Sequence, residues 1–311
     1  MNNVAMQACL LLAASLLAGC SSTALPKQPQ PWLDATPRMA VISAFEPELA
    51  LLLSRTGQRH DYTVNGVTFT TGVLQGKPVV LFQSGISMVN AAMNTQLVLD
   101  RFQVTHVVFS GIAGGVNPTL HIGDVTVAQR WGQYLESVMA RETAPGQYQP
   151  PRRMAGELKF PHFGMMFTRP VGVRSAGRTG EEERFWFEAD PKMLEVARTI
   201  QDTALASCDA ARQCLAHPPR VVVGGNGVSG QAFVDNAIFR EYAYKTFDAN
   251  VLDMETAATA HVAYSNGVPF IAFRSLSDLA GGGPGENEMV TFLKLAADNS
   301  AKVLLAFLAA W

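Results

Sequence analysis

Apolar positions from residue 38 onward form either short continuous runs or longer stretches with helical spacing. Runs rich in Val, Ile and Phe predict strands, and stretches whose apolar residues recur every three or four positions predict helices. The predicted strands are 39–45, 67–74, 79–84, 105–110, 124–129, 220–226 and 268–274. The predicted helices are 46–55, 87–102, 190–206, 236–246, 255–266 and 286–309. Strands that alternate with helices in this way indicate a single α/β domain over 38–311, with a central mixed, twisted β-sheet flanked by helices.

The stretch 131–190 departs from this alternation. It is rich in Pro, Gly, Arg and aromatic residues and contains Pro150-Pro151 and Phe185-Trp186-Phe187. We expect a long insertion in the domain with little regular structure, and loops of such length usually serve a function.

The first 37 residues differ from the domain in composition. Residues 4–19 are apolar and small, and the run ends in Leu17-Ala18-Gly19-Cys20. This tetrapeptide resembles the lipobox of bacterial lipoproteins, which implies a signal peptide at 1–19, a lipid on Cys20 and a lipid-anchored linker at 20–37. The resemblance implies a lipoprotein of the bacterial cell envelope, at the outer membrane facing the periplasm. An ordinary cleaved signal is the alternative, because Met1-Asn2-Asn3 carries no Lys or Arg.

Composition narrows the class of ligand. The chain has 311 residues, of which 48% are hydrophobic and 16% charged, and its formal net charge is -2. A nucleic-acid partner would require clustered Lys and Arg, and the longest basic run is Arg152-Arg153. We therefore expect a small-molecule ligand and no nucleic acid. No stretch after residue 20 has the roughly 18 uninterrupted apolar residues of a membrane-spanning helix, so we expect membrane contact through the lipid anchor only.

Two cysteines remain once Cys9 leaves with the signal peptide and Cys20 carries lipid. Cys208 and Cys214 lie close together in a polar segment, and in an oxidising envelope we expect them to pair. Two free thiols are the alternative. No His accompanies them at the spacing of metal ligands, so we expect no metal site.

Two strand ends in the first half of the domain carry candidate chemistry. The strand 39–45 runs into Glu46-Pro47-Glu48 at the start of a helix, where carboxylates are also favoured by the helix dipole. The strand 105–110 opens into a loop with Gly111, Gly114 and Gly115, which lets the backbone approach a ligand closely. The loop has neither the Walker nor the dinucleotide spacing. The alternative for Glu46 and Glu48 is that each is simply an acid at the start of a helix, without a role in chemistry.

Two strand ends in the second half carry further acids. Met254 and Glu255 begin a helix of small residues, and a carboxylate there can accept two hydrogen bonds from a vicinal diol such as that of ribose. Arg274, Ser277 and Asp278 follow the strand 268–274 and precede a Gly-rich loop. A buried Asp at a strand end is a candidate general acid, because burial raises its pKa. The alternative for Glu255 is an acid that only starts a helix, and the alternative for Asp278 is an Asp in a surface loop.

These four elements, in this order, resemble the nucleoside phosphorylase superfamily, and within it the methylthioadenosine/S-adenosylhomocysteine nucleosidases. The resemblance implies a nucleoside phosphorylase-like fold and no cofactor. It implies that Glu48, rather than Glu46, activates water and that Asp278 protonates the purine. The remaining residues that it places around the substrate are Glu255, Met254, Phe233, Val234, Ser84, Arg274, Ser277 and Gly114.

The resemblance favours hydrolysis of a purine nucleoside or a 5′-substituted adenosine. Phosphorylases of the superfamily usually present arginine to phosphate near the loop after 105–110, and Gly111-Ile112-Ala113-Gly114 has none. Phosphate-dependent phosphorolysis is the first alternative. The last third of the chain also resembles plant bark and vegetative storage proteins, so a nucleoside-binding or storage protein without turnover is the second. The family precedent implies a homo-oligomer.

Overall fold

The computed structural model describes residues 32–311, and these form a mixed β-sheet with helices on both faces. The helices are α1 (Glu46–Arg55), α2 (Met88–Arg101), α3 (Pro191–Thr199), α4 (Ala237–Phe247), α5 (Thr256–Ser265) and α6 (Met289–Ala310). The strands outside the insertion are β1 (Asp34–Ser43), β2 (Gly57–Val64), β3 (Val67–Leu74), β4 (Lys77–Gln83), β5 (Phe102–Gly115), β6 (Val125–Val127), β15 (Val221–Val223), β16 (Asn226–Ser229), β17 (Ala249–Asp253) and β18 (Phe270–Asp278). Those inside it are β7 (Arg130–Gln133), β8 (Ser137–Met139), β9 (Arg141–Ala144), β10 (Gln147–Gln149), β11 (Met166–Thr168), β12 (Val171–Val173), β13 (Glu182–Arg184) and β14 (Trp186–Glu188).

The long strand β5 is the centre of the sheet. Val107 on β5 lies between Ala40 of β1 and Phe270 of β18, and both pairings are parallel. The far end of β5 pairs antiparallel with β17, which makes the sheet mixed. The strand ends that follow β1, β17 and β18 therefore meet near the end of β5, where ligands of α/β sheets usually bind.

Two apolar layers hold the helices on the sheet. On one face α2 and α5 pack together through small buried residues such as Ala91 and Ala260. On the other face α1 and α6 bury Leu52, Leu304 and Phe307 against β1 and β18. Continuous apolar runs form the central strands because both of their faces are covered.

The predicted helices agree closely with the structure except for α3, which ends at Thr199 rather than at 206. The reason is a tertiary contact. Asn299 on α6 accepts a hydrogen bond from the Ala206 backbone N–H and donates one to the Ala206 carbonyl. The backbone of this segment is therefore satisfied by a neighbouring helix instead of by another helical turn.

The expectation of little regular structure in the insertion 131–190 is wrong. It contains eight strands, β7–β14, and a 3-10 helix at Arg152–Glu157. Three antiparallel two-stranded sheets form inside it, and β7 and β14 pair antiparallel with each other in the central sheet. The aromatic residues that marked the insertion as unusual anchor it, because Phe160 packs on Phe247 of α4 and Phe187 stacks on His261 of α5.

The predicted signal peptide, Cys20 and most of the predicted linker lie outside the described residues. The last linker residues already belong to β1, where Asp34 pairs with Arg38 at 2.6 Å. Cys208 and Cys214 are joined by a disulfide. Within the described part of the chain, no helix combines the length and the apolar character needed to cross a membrane.

Candidate active site

A cavity of about 220 Å³ opens where the ends of β1, β5, β17 and β18 meet. Its lining combines acids with a largely apolar wall. The predicted site residues that line it are Glu48, Gly114, Phe233, Val234, Met254, Glu255, Ser277 and Asp278. The fold thus brings together groups that are up to 230 positions apart in the sequence.

Glu48 is the acid of the first strand end that faces the cavity. It is 1% exposed, whereas Glu46 two positions earlier is exposed on the helix surface. Its carboxylate accepts hydrogen bonds from the backbone N–H groups of Ala44 at 2.6 Å and Ile112 at 2.7 Å. Burial raises the pKa of Glu48 to about 7, against the opposing effect of the nearby Arg274. The carboxyl therefore titrates near neutral pH, which suits proton transfer.

Arg274 is fully buried behind the cavity and connects the acids around it. Its Nε lies 2.7 Å from Asp253 Oδ2, and its Nη2 donates to Glu255 Oε2 at 3.1 Å. Its Nη1 lies 3.7 Å from Glu48 Oε1 and donates to the Ile112 carbonyl at 3.1 Å. The guanidinium thus compensates three buried carboxylates, and each of its three nitrogens already has a partner within the protein.

Glu255 lies immediately before α5, and its position depends on a distant loop. One carboxylate oxygen faces Arg274, and the other accepts a hydrogen bond from the Ser87 backbone N–H at 2.8 Å. Burial raises the pKa of Glu255, while the Arg274 charge opposes that rise. Met254 beside it lines the cavity.

Asp278 ends β18 on the other side of the cavity, and it is 3% exposed. Its hydrogen-bond donors are neutral groups: the Ser277 hydroxyl at 2.9 Å, the Ala280 backbone N–H at 2.8 Å and the Asn287 amide at 3.4 Å. Burial raises the pKa of Asp278, and these donors only partly oppose it. Asp278 therefore keeps its proton to a higher pH than a solvent-exposed Asp does.

Two glycines explain how the acids come so close to the backbone. A Cβ at Gly111 would lie 2.4 Å from Glu48 Oε1 and 2.3 Å from Arg274 Nη1. A Cβ at Gly114 would lie 3.3 Å from Asp278 Oδ1. These glycines belong to β5, which continues to Gly115 instead of opening into a loop after residue 110, and their missing side chains make room for the acids.

Two predicted site residues do not line the cavity: Arg274, which lies behind it, and Ser84. Ser84 is fully buried, and its hydroxyl donates to the Gly85 carbonyl at 2.9 Å. Its backbone carbonyl accepts a hydrogen bond from Asn94 at 2.7 Å. Ser84 therefore supports the loop before α2, because its polar atoms are used within the protein.

The sequence motifs missed most of the apolar wall. These cavity residues come from four separate places in the chain and have no shared motif: Phe45, Ile86, Leu252, Met289 and Leu293. Ile86 and the predicted Phe233 are 51% and 56% exposed, so the cavity is open on their side. Asn287, which contacts Asp278, was also missed because it lies in a loop whose path depends on the fold.

No group of three or more His, Cys, Asp or Glu side chains in residues 32–311 could hold a metal ion. The chemistry that the described residues can supply is acid–base and electrostatic. Glu48, whose pKa burial raises to about 7, lies beside Arg274. Asp278, whose pKa burial also raises, lies on the other side of the cavity without an arginine beside it. Two carboxyl groups in such different environments can take opposite protonation states at one pH.

A mixed sheet flanked by helices, with two buried acids in different surroundings at the strand ends, is typical of an α/β enzyme. A model of the phosphorylase superfamily matches residues 38–309, and the chain belongs to that superfamily. The resemblance inferred from the motifs and the predicted fold class are thereby confirmed.

Similar proteins in this superfamily are named 5′-methylthioadenosine/S-adenosylhomocysteine nucleosidases. The one from Geobacillus thermodenitrificans is 30% identical over 275 residues, which cover 87% of this chain and 96% of that protein. The one from Bacillus subtilis is 29% identical, with 86% and 96% covered. A solved structure of the enzyme from Streptococcus pneumoniae aligns with a TM-score of 0.63 at 25% identity, covering 88% of this chain and 99% of that one.

Proposed function

We propose that this protein is a nucleosidase that hydrolyses the N-glycosidic bond between ribose and the purine of a 5′-substituted adenosine. The observation that carries the proposal is the placement of Asp278 and Glu48 in one cavity, the first without a cation and the second beside Arg274. The relatives that match over 86–87% of the chain carry the name of such an enzyme.

Departure of the base requires a proton donor. As the bond between the sugar C1′ and the purine nitrogen breaks, negative charge develops on the base. Protonated Asp278 donates its proton to the base nitrogen N7, so that a neutral purine leaves. Phe233 stacks on the ring, and the Val234 backbone faces its edge.

The sugar requires negatively charged groups of the protein beside it. Positive charge develops on the ribose ring in the transition state, and the carboxylates of Glu48 and Glu255 stabilise it. Glu255 accepts hydrogen bonds from the ribose hydroxyls. Ionised Glu48 takes one proton from the attacking water, whose oxygen forms the new bond to C1′. The products are the free purine and the free sugar.

Hydrolysis is favoured over phosphorolysis by the charges at the site. Among the described residues that line the cavity, there is no Lys or Arg. Arg274 is the nearby cation, and it is fully buried with its donors on Glu255, Asp253 and Thr256. A phosphate dianion would therefore meet carboxylates without a free cation to offset them.

The apolar wall indicates the kind of substrate. Phe45 comes directly after Ala44, whose backbone N–H donates a hydrogen bond to Glu48. Ile86 comes directly before Ser87, whose backbone N–H donates a hydrogen bond to Glu255. These two side chains therefore lie beside the sugar end of the cavity. An apolar 5′ substituent, such as a thioether, would remove this surface from water, whereas an unsubstituted 5′ hydroxyl would leave it uncovered.

The proposal is tested by measuring base release from a panel of 5′-thioether adenosines and unsubstituted purine nucleosides, with and without phosphate. Protein lacking residues 1–20 serves as the parent, with Asp278→Asn and the exposed Asp202→Asn as a matched pair. We expect phosphate-independent release of base, lost in Asp278→Asn and kept in Asp202→Asn. Strict phosphate dependence would establish phosphorolysis, and tight binding without turnover would establish a binding protein.

We also propose that the mature protein is a lipoprotein of the bacterial cell envelope, at the outer membrane facing the periplasm. The support is the tetrapeptide Leu17-Ala18-Gly19-Cys20 after an apolar run. Expression of the full chain and of Cys20→Ser with a radiolabelled fatty acid tests it. We expect the full chain to carry the label and to be found in the membrane fraction, and the Cys20→Ser variant to lose both properties. A full chain that is unlabelled and found in the soluble fraction would contradict the lipid anchor.

A homo-oligomer is the third part of the proposal. Val89, Met93 and Met139 are 57–65% exposed, and Val89 and Met139 line one groove. Ile86, Val89 and Met93 follow one another at intervals of three and four positions, the spacing of one helix face. A second copy would cover this surface, since soluble proteins rarely leave such patches bare. Analytical ultracentrifugation of the parent and of Val89→Glu is the test. A monomeric parent would overturn the proposal.

A further inference from the structure

The loop after Asp278 is hydrogen-bonded to the segment that carries Phe233 and Val234, the residues proposed to contact the base. The Asn236 backbone N–H donates to the Ala280 carbonyl at 3.1 Å. Gly281 has a φ of +85°, and a Cβ there would lie 2.3 Å from the Asn236 backbone nitrogen. Only glycine permits both this conformation and this approach. The two chain segments on the base side of the cavity therefore form one unit.

Asn287 connects the two carboxyl groups of that unit. Its Nδ2 lies 3.1 Å from Asp235 Oδ1 and 3.4 Å from Asp278 Oδ1. Its Oδ1 accepts the Met289 backbone N–H at 2.9 Å at the start of α6. Because the helix start uses the amide oxygen, the amide NH₂ group is directed at the two carboxyls.

We propose that Asp235, acting through Asn287, is a positioning residue for the Asp278 carboxyl. Asn287 holds one oxygen of Asp278 while the Ser277 hydroxyl holds the other. Asp235 in turn holds Asn287 in place, and it adds a negative charge close to Asp278. That charge disfavours ionisation of Asp278, which must carry a proton to act. The inference rests on the proposed function, because it assumes that Asp278 is the proton donor.

The other charged groups near Asp278 have different partners. Glu48 and Glu255 both lie against the buried Arg274 at the other end of the cavity. On α4, Arg240 donates to the Gly115 carbonyl at 3.0 Å and packs on Gly282. Glu288 lies beside Gly283 in the same loop. Unlike these groups, Asp235 is linked to Asp278 through the side-chain amide of Asn287. Its negative charge raises the pKa of Asp278.

The experiment measures kcat/KM from pH 4 to pH 9 for the parent, Asp235→Asn and the control Asp202→Asn, all lacking residues 1–20. Removing the Asp235 charge lowers the pKa of Asp278, because a nearby negative charge disfavours the ionised carboxyl. The loss in Asp235→Asn should therefore be absent at low pH, grow as pH rises and level off at roughly 3- to 10-fold. Asp202→Asn should follow the parent throughout.

A second variant tests the route through Asn287. Asn287→Ala should lower kcat with little change in KM, and Asp235→Asn should have less effect in that background than in the parent, because the two act through one contact. Thermal unfolding of each variant reports any loss of the α6 helix start separately.

The outcomes separate this inference from the proposed function. If Asp278→Asn keeps full turnover, the proposed proton donor is wrong. If Asp278→Asn is inactive while Asp235→Asn follows the parent at every pH, or loses the same factor at every pH, only the role of Asp235 is overturned.

Discussion

The two ends of the cavity contain the same functional group in opposite surroundings. At the sugar end, Glu48, Asp253 and Glu255 surround Arg274, with nitrogen–oxygen distances of 2.7–3.7 Å. At the base end, Asp278 has neutral hydrogen-bond donors and a second carboxylate, Asp235, beyond Asn287. All of the cavity acids are buried, so burial alone does not distinguish them.

The two ends differ in whether a cation opposes the effect of burial on the pKa of the acid. Desolvation raises the pKa of both Glu48 and Asp278, but Arg274 opposes the rise at Glu48 alone. One end therefore favours carboxylates, which suit a cationic sugar, and the other favours a carboxylic acid, which suits a departing base.

The largest effect is expected from removing the cation. Arg274→Met leaves three buried carboxylates without their partner, and breaking a buried pair in this way costs about 3–5 kcal/mol. We expect a loss of this size in the free energy of urea unfolding, together with loss of turnover. Lys294→Met, which breaks an exposed pair with Asp298, should cost less than about 1 kcal/mol. Equal losses in the two variants would show that Arg274 is not a compensating charge.

Neutralising the acid at the sugar end should remove most of the activity without unfolding the protein. Glu48→Gln keeps the acceptor for one backbone N–H but cannot take a proton from water. We expect kcat/KM to fall by about 10²–10⁴-fold. Glu46→Gln, two positions away on the helix surface, should match the parent. A Glu48→Gln enzyme with parental kcat/KM would assign water activation to another group.

The pH dependence should show where the sugar-end carboxyl titrates. Glu48 acts as the ionised base, so activity requires a pH above its pKa of about 7. We expect kcat/KM to fall about tenfold per pH unit as the pH decreases below 7. A limb near pH 4.5, the ordinary range of a glutamate, would mean that Arg274 and the backbone donors outweigh burial.

The smallest effect is expected at the exposed part of the base end. Phe233→Ala removes one ring face from the purine but leaves both acids in place. Stacking and burial of an aromatic ring correspond to about tenfold in binding, which should appear mainly in KM. Ile238→Ala, which is 70% exposed on α4, is the control. A large fall in kcat with unchanged KM would place Phe233 in the chemical step instead.

The motifs predicted the acids of the site better than its walls. Glu48 follows, and Asp278 ends, a strand whose apolar run is plain in the sequence, whereas Glu255 was found from its place at the start of a helix of small residues. Choosing Glu48 over Glu46 needed the family resemblance, and the structure separates the two by burial. Ser84 shows the limit, because its neighbours in sequence gave no indication that its hydroxyl bonds within its own loop.

Regular structure was predictable where local pattern and packing agree. α1 was placed correctly because its spacing, Pro47 and first-turn acids all point to the same helix start. β17 and the strands of the insertion were missed because they are short and are defined by pairing partners far away in the chain. Five-residue or shorter strands have too few positions to show a period.

The sequence by itself determined the alternation of strands and helices, the presence of acids at the strand ends and the membership of the superfamily, since each depends on local pattern. The tertiary structure decided which acid lies beside Arg274, which one lies beside neutral donors, and how the insertion packs on α4 and α5. The physical reason is that a pKa, a cavity wall and a strand pairing each depend on groups that only folding brings within a few ångströms.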